Sequence, residues 1–208
     1  MRDTDLLVIY GEGGGHGSVR VAWVLDVHGH RRVAVMPDGM RGWRERGGAI
    51  TSEPPGLSSS SYRARLDGEK VANKLSVLHA ISDSRVGLLD VRRGQADPSE
   101  RSRQIPSSRR LGLAERLMCP ANLEDLRELQ EALLTSVGAG ESLIVYSDTG
   151  VRASLVGLAL RDVGRAAIVY DGGWNEWASH PGLPTEDFVY SNEPSPGIAP
   201  EFRPGATP

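Results

Sequence analysis

Cysteine is almost absent from this sequence: Cys119 is the single one in 208 residues. That count excludes an internal disulfide framework and a cysteine-rich zinc site. Long apolar runs are missing too. The longest early one, Leu6 to Tyr10, falls far short of the ~20 residues that a bilayer-crossing helix needs. No basic segment with an apolar stretch behind it reads as a secretory signal. Charge of one sign is lacking as well. Lys and Arg number 24 against 27 Asp and Glu, a net charge of −3, so no strong field draws the chain to nucleic acid or to an acidic membrane. The remainder is 39% hydrophobic and 25% charged, an ordinary globular balance, and a cytoplasmic location is the expectation.

Against these absences stands a regular alternation of short apolar runs and helical patterns. Leu6–Tyr10, Val33–Met36, Val86–Val91, Leu143–Tyr146 and Ala167–Tyr170 read as strands buried on both faces, as in a parallel sheet. Helical spacing falls at Val19–Val27, Val71–Ile81, Leu123–Leu134 and Val151–Val163. In the third of these, Leu126, Leu129 and Leu133 mark one buried stripe, with Asn122 as N-cap and Glu124 and Asp125 in the first turn. The pattern predicts an α/β fold, a central mostly parallel sheet flanked by helices. Thr51–Ser61 reads as a linker, Arg92–Arg110 as a long polar loop, and the proline-rich segment Ser191–Pro208 as disordered.

The chain also repeats itself. Ile9-Tyr10-Gly11-Glu12 aligns with Val145-Tyr146-Ser147-Asp148, each followed by a loop, a helix with a late glycine (Gly29, Gly164) and a second apolar strand. Both copies close on matching turns, Pro37-Asp38-Gly39-Met40-Arg41-Gly42-Trp43 and Asp171-Gly172-Gly173-Trp174-Asn175-Glu176-Trp177. Trp43 lies 33 positions after Tyr10, and Trp177 lies 31 after Tyr146. A repeat of this kind fixes architecture before any motif does. The second copy is preceded by its own helix, strand and helix, and the first is not. The expected domains are therefore residues 1–50, a partial copy; 51–61, a linker; 62–190, a complete α/β domain; and 191–208, a tail. A half sheet leaves an apolar face in water. The first copy is thus expected to dock on the second, to be completed by a second copy or a partner chain, or to be the remnant of a truncated domain.

The loop Ser147-Asp148-Thr149-Gly150-Val151-Arg152-Ala153 follows a buried strand and opens a helix. Ligands of open α/β sheets bind at that carboxyl end, and backbone N–H groups backed by a helix N-terminus form an anion-binding nest. Ser147 is placed at its centre; an N-capping serine at a strand end reads equally well.

Tyr146–Ala153 together with Asp171–Trp177 resembles the two-domain rhodaneses, the thiosulfate and 3-mercaptopyruvate sulfurtransferases. In that family the loop reads Cys-x-x-Gly-Val-(Thr/Arg)-Ala, and a Gly-Gly/Ser-Trp-x-Glu-Trp turn follows. Leu88-Leu89-Asp90-Val91-Arg92 is similar to its Asp-x-Arg strand end, and Arg103–Ser108 to a worn Gly-His-Ile-Pro-Gly-Ala. The resemblance spans roughly Leu6 to Glu186 and implies sulfane-sulfur transfer to a thiophilic acceptor. It implies no metal and no cofactor, and a small sulfur-containing anion as ligand. Its site residues would be Ser147 at the nucleophile position, the loop 148–153, and Asp90, Arg92, Arg93, Trp174 and Glu176 in support.

The family nucleophile is a low-pKa cysteine thiolate, and here the position holds Ser147. Cys119, before Pro120, is no substitute. Gly94-Gln95-Ala96-Asp97 stands where the family places a further basic residue, leaving Arg93 and Arg152 as nearby cations. A natural loss, an engineered Cys→Ser change and a different chemistry in the same nest are the three readings. Natural degeneration leads, because the other two motifs are worn as well. A phosphatase-like use of the nest meets the same objection, the absent cysteine.

Other signals carry less. Gly11-Glu12-Gly13-Gly14-Gly15-His16-Gly17 fits neither a phosphate-loop nor a dinucleotide pattern. His28 and His30 suit a helix C-terminus better than a metal. Trp23, Trp43, Trp174 and Trp177 read as core or turn residues.

Overall fold

A computed structural model of the chain describes residues 2, 4–12, 15–56, 59–93, 102–112, 116–117, 123–137 and 142–188. In chain order, a first unit consists of β1 (Leu7–Ile9), α1 (His16–Val27), β2 (Val33–Val35) and α2 (Gly39–Glu45). There follow β3 (Val71–Ala72), α3 (Lys74–Ala80), β4 (Val86–Asp90), β5 (Ser102–Gln104), β6 (Ser108–Arg110) and α4 (Leu123–Val137). The chain then forms β7 (Ser142–Tyr146), α5 (Val151–Asp162), β8 (Ile168–Tyr170), α6 (Gly173–Ala178) and β9 (Glu186–Phe188). Five parallel strands in the order β3-β8-β7-β4-β6 make the central sheet, β1 and β2 pair in parallel, and β5 pairs antiparallel with β9. The fold is α/β, a mostly parallel sheet flanked by helices.

The strand period of two sorts the central strands between two cores. Leu143 and Val145 of β7 face α4 and α5, while Ile144 and Tyr146 face α3 and α6. Each such side chain contributes about 1.5–3 kcal/mol on burial. Helix α5 is buried from Ala153 to Leu160 because the sheet lies on one side of it and α1 on the other. Gly157 lets it close on the sheet: a Cβ there would meet Val169 at 3.0 Å. Both α1 and α5 end in the same way. Gly29 and Gly164 adopt left-handed φ of 89° and 79°, and the next residue's N–H returns to a carbonyl five positions back, His30 to Leu25 at 2.9 Å and Arg165 to Leu160 at 2.8 Å.

Several expectations need correction. The strands of the first unit are not buried on both faces: Val8 is 51% exposed, because among the described residues β1 and β2 pair only with each other. The helix expected over Val71–Ile81 starts at Lys74, since Asn73 caps it by accepting from the N–H groups of Leu75 and Ser76, and Val71–Ala72 pairs instead with β8. The polar stretch Arg92–Arg110 holds two strands, one of which, β6, pairs in parallel with β4. Residues 94–101, Cys119, Asn122 and the segment 191–208 lie outside the described residues.

Candidate active site

Ser147 directly follows β7 at the carboxyl edge of the sheet and is 1% exposed. Its Oγ accepts a long hydrogen bond, 3.4 Å, from the Ala153 N–H in the first turn of α5. The hydroxyl therefore points at the helix N-terminus, where partial positive charge accumulates. The N–H groups of Asp148, Thr149, Gly150 and Val151 make no hydrogen bond to any described residue. Successive unbonded N–H groups around one buried hydroxyl form a concave donor surface suited to a small anion. Gly150 shapes it with a left-handed φ of 75°. A Cβ at that position would stand 2.6 Å from the Asp171 carbonyl oxygen, so any other residue there is doubly disfavoured.

The turn after β8 locks the loop from beneath. The Trp174 N–H donates to the Ser147 carbonyl at 2.8 Å, and the Asn175 N–H donates to that of Asp148 at 3.1 Å. Gly173, with φ 61°, permits this approach, because a Cβ there would come within 2.3 Å of the Ser147 oxygen. Glu176 accepts from the Tyr170 hydroxyl at 2.6 Å. That contact assigns Glu176 to holding the turn, and burial with the adjoining carboxylate pushes the Tyr170 phenol well above its usual range.

The arginines divide by role. Arg92 is committed to structure: it grips both Asp90 oxygens at 2.7–3.0 Å, donates to the Arg103 carbonyl at 2.8 Å, and stacks 4.5 Å from the Trp174 ring centre. Asp90 also accepts from Arg110 at 3.0 Å. Burial alone would raise the Asp90 carboxyl, yet the hydrogen bonds and charge of Arg92 and the charge of Arg110 hold it below the usual carboxylate range. Arg93 is exposed beyond β4. Arg152 leans on Asp148 at 3.5 Å across one helical turn.

Two residues escaped the sequence reading. Arg110 reaches Asp90 only because β6 pairs with β4. Arg20 of α1 crosses from the first unit, hydrogen bonding to Asp171 and, at 3.0 Å, to the Ser154 Oγ. No local pattern signals a contact 151 positions apart. The first unit reproduces the loop scaffold, with Met40 and Arg41 donating to the Gly11 and Glu12 carbonyls at 2.7 and 3.3 Å. It carries Gly11 where the second has Ser147 and so offers no side-chain nucleophile. Among the described residues no cluster of His, Cys, Asp or Glu is arranged to hold a metal, and no helix is long and apolar enough to cross a membrane.

Fold and site together define an α/β protein with a strand-to-helix loop at its sheet edge whose N–H groups surround a buried hydroxyl. The rhodanese-like domain family matches residues 74–180, just over half of the chain, and the chain belongs to that family. It is similar to thiosulfate/3-mercaptopyruvate sulfurtransferase 1 of Arabidopsis thaliana, 24% identical over 90% of this chain and 58% of the relative. The thiosulfate sulfurtransferase of Azotobacter vinelandii is 23% identical over 89% of this chain and 71% of its own length. Among solved structures, a variant of EanB in complex with ergothioneine superposes with a TM-score of 0.74 at 20% identity, covering 92% of this chain and 53% of that one. SseA from Escherichia coli, described as a 3-mercaptopyruvate sulfotransferase with the rhodanese fold, gives 0.66 at 22%, covering 84% and 68%. At these identities the structural likeness is one of fold. The chain spans 58% of the Arabidopsis relative and about half of the EanB chain.

Proposed function

We propose that this chain is a sulfurtransferase-family protein whose loop binds a small sulfur-containing anion, thiosulfate or sulfite, with persulfide turnover impaired. The family activity is sulfane-sulfur transfer from thiosulfate or 3-mercaptopyruvate to a thiophilic acceptor. The observation that carries this reading is the buried Ser147 hydroxyl among unbonded loop N–H groups. With thiosulfate as donor, the family's thiolate attacks the sulfane sulfur, the S–S bond of thiosulfate breaks, a persulfide forms and sulfite leaves. A hydroxyl is a far weaker nucleophile at neutral pH unless a base takes its proton. Ser147 has no histidine or carboxylate as hydrogen-bond partner among the described residues. The donors that would cradle the leaving anion remain; the atom that would carry sulfur does not.

Calorimetric titration with thiosulfate, run beside a thiosulfate–cyanide assay, tests this. Saturable binding with negligible thiocyanate formation is the expected result. Thiocyanate turnover that Ser147→Ala abolishes would overturn it.

A second reading, a protein-interaction module, is favoured by one observation. Leu6, Val8, Tyr10, Trp43 and Ile50 of the first unit are each 42–58% exposed, an apolar set of the kind that marks an interface. A second copy or a partner chain covering this set would give an assembly larger than the monomer in light scattering, and a strictly monomeric protein at high concentration counts against it.

A further inference from the structure

We infer that Arg20, on the first unit, is a positioning residue for the anion loop of the second. This rests on the anion-binding reading of that loop and assigns the first unit a part in it. The Arg20 guanidinium is forked. Nη2 donates to Asp171 Oδ1, Nη1 donates to Ser154 Oγ at 3.0 Å, and the guanidinium carbon lies over the Trp23 ring, 4.5 Å from its centre. Each partner is tied to Gly150. The Ser154 hydroxyl donates to the Gly150 carbonyl at 2.8 Å, as does the Ser154 N–H at 2.9 Å. Asp171 is packed so closely on Gly150 that no Cβ fits between them, and it leads directly into Gly172 and Gly173 of the turn that holds the Ser147 and Asp148 carbonyls. One side chain thus braces both walls of the loop at the residue with left-handed φ.

Charge makes the same point. Asp171 places a carboxylate beside an N-terminus built to receive an anion, and alone it would compete electrostatically with any bound ligand. Arg20 neutralises it. An exposed ion pair is ordinarily worth little. This one differs in being two-pronged, stacked on an indole, and only 27% exposed on the arginine side. It also binds α1 to the neighbourhood of α5, where Arg161 meets Asp26 at 2.7 Å. Docking of the first unit and the shape of the loop are thereby coupled.

Two measurements on the full-length chain test the assignment. In thiosulfate titrations Arg20→Ala weakens binding about tenfold, and Arg20→Lys recovers part of the loss, because an ammonium restores the charge without the fork. Unchanged affinity in Arg20→Ala overturns the proposal. The second needs no anion: the pH dependence of iodoacetamide alkylation at position 147 in the Ser147→Cys protein, followed by peptide mass. Adding Arg20→Ala raises the midpoint by about half a unit to one unit, because the Asp171 carboxylate is left unopposed. Further addition of Asp171→Asn returns most of it. A midpoint that Arg20→Ala leaves in place, or a shift that survives Asp171→Asn, marks Arg20 as a packing residue and overturns the proposal. Should the native chain bind no thiosulfate while the reversible thiol shift is seen, the anion reading fails and the role of Arg20 stands.

Discussion

The unit β1–α1–β2–α2 and the unit β7–α5–β8–α6 share a backbone plan and differ in surroundings. Both end their first helix on a left-handed glycine, and both tie two loop carbonyls to the N–H groups that follow a left-handed glycine, Gly39 or Gly173. Yet Ile144 is 4% exposed where Val8 is 51%, Tyr146 is 0% where Tyr10 is 52%, and Trp177 is 0% where Trp43 is 42%. Strands β3 and β4 flank the second pair, and α3 covers that face; among the described residues the first pair has no such neighbours. Local sequence suffices to shape the loop, while burial and chemistry come from elements far away in the chain.

The largest expected contrast lies in the paired tryptophans. Trp177→Ala is expected to cost about 3–5 kcal/mol in urea unfolding, and Trp43→Ala about 1 kcal/mol; equal costs would break the comparison. Next comes Asp90, on strand β4, which has no counterpart in the first unit among the described residues. Asp90→Asn leaves Arg92 and Arg110 without their buried counter-charge and is expected to cost about 3 kcal/mol at neutral pH. The folded carboxyl titrates below its unfolded value of about 4, so its contribution is present above that pH and is lost as pH falls through the folded value. The gap between native and Asp90→Asn stability should therefore narrow below about pH 4; a constant gap would remove the ion cluster from the account. A smaller contrast concerns the loops. Gly150→Ala is expected to cost about 2 kcal/mol and to abolish thiosulfate binding. Gly15→Ala, where a Cβ meets nothing closer than 3.9 Å, should change stability by less than about 0.5 kcal/mol.

The strong central strands and the strand-to-helix loop were legible because each rests on contiguous residues. The short strands β3, β6 and β9 were not: β3 has two residues, and β6 and β9 are largely polar, so no apolar run marks them. Ser108–Arg110 in particular has no apolar side chain, and its strand is defined by pairing with Leu88–Asp90. Asp90 and Arg92 were legible as a motif, but the third member, Arg110, comes from that pairing. Arg20 was invisible for a related reason: its partners Ser154 and Asp171 become neighbours only once α1 packs on α5. The exposure of Val8 is not legible, because an apolar strand reads alike whether or not its sheet continues.

The atom at position 147 decides whether the loop can carry sulfur, and intact mass after thiosulfate treatment tests this most directly. Native protein should gain no sulfur at residue 147, and the Ser147→Cys protein should gain one sulfur atom there, assigned by peptide mapping to separate it from Cys119. Sulfur taken up at Ser147, or a Ser147→Cys protein that takes up none, would contradict the account.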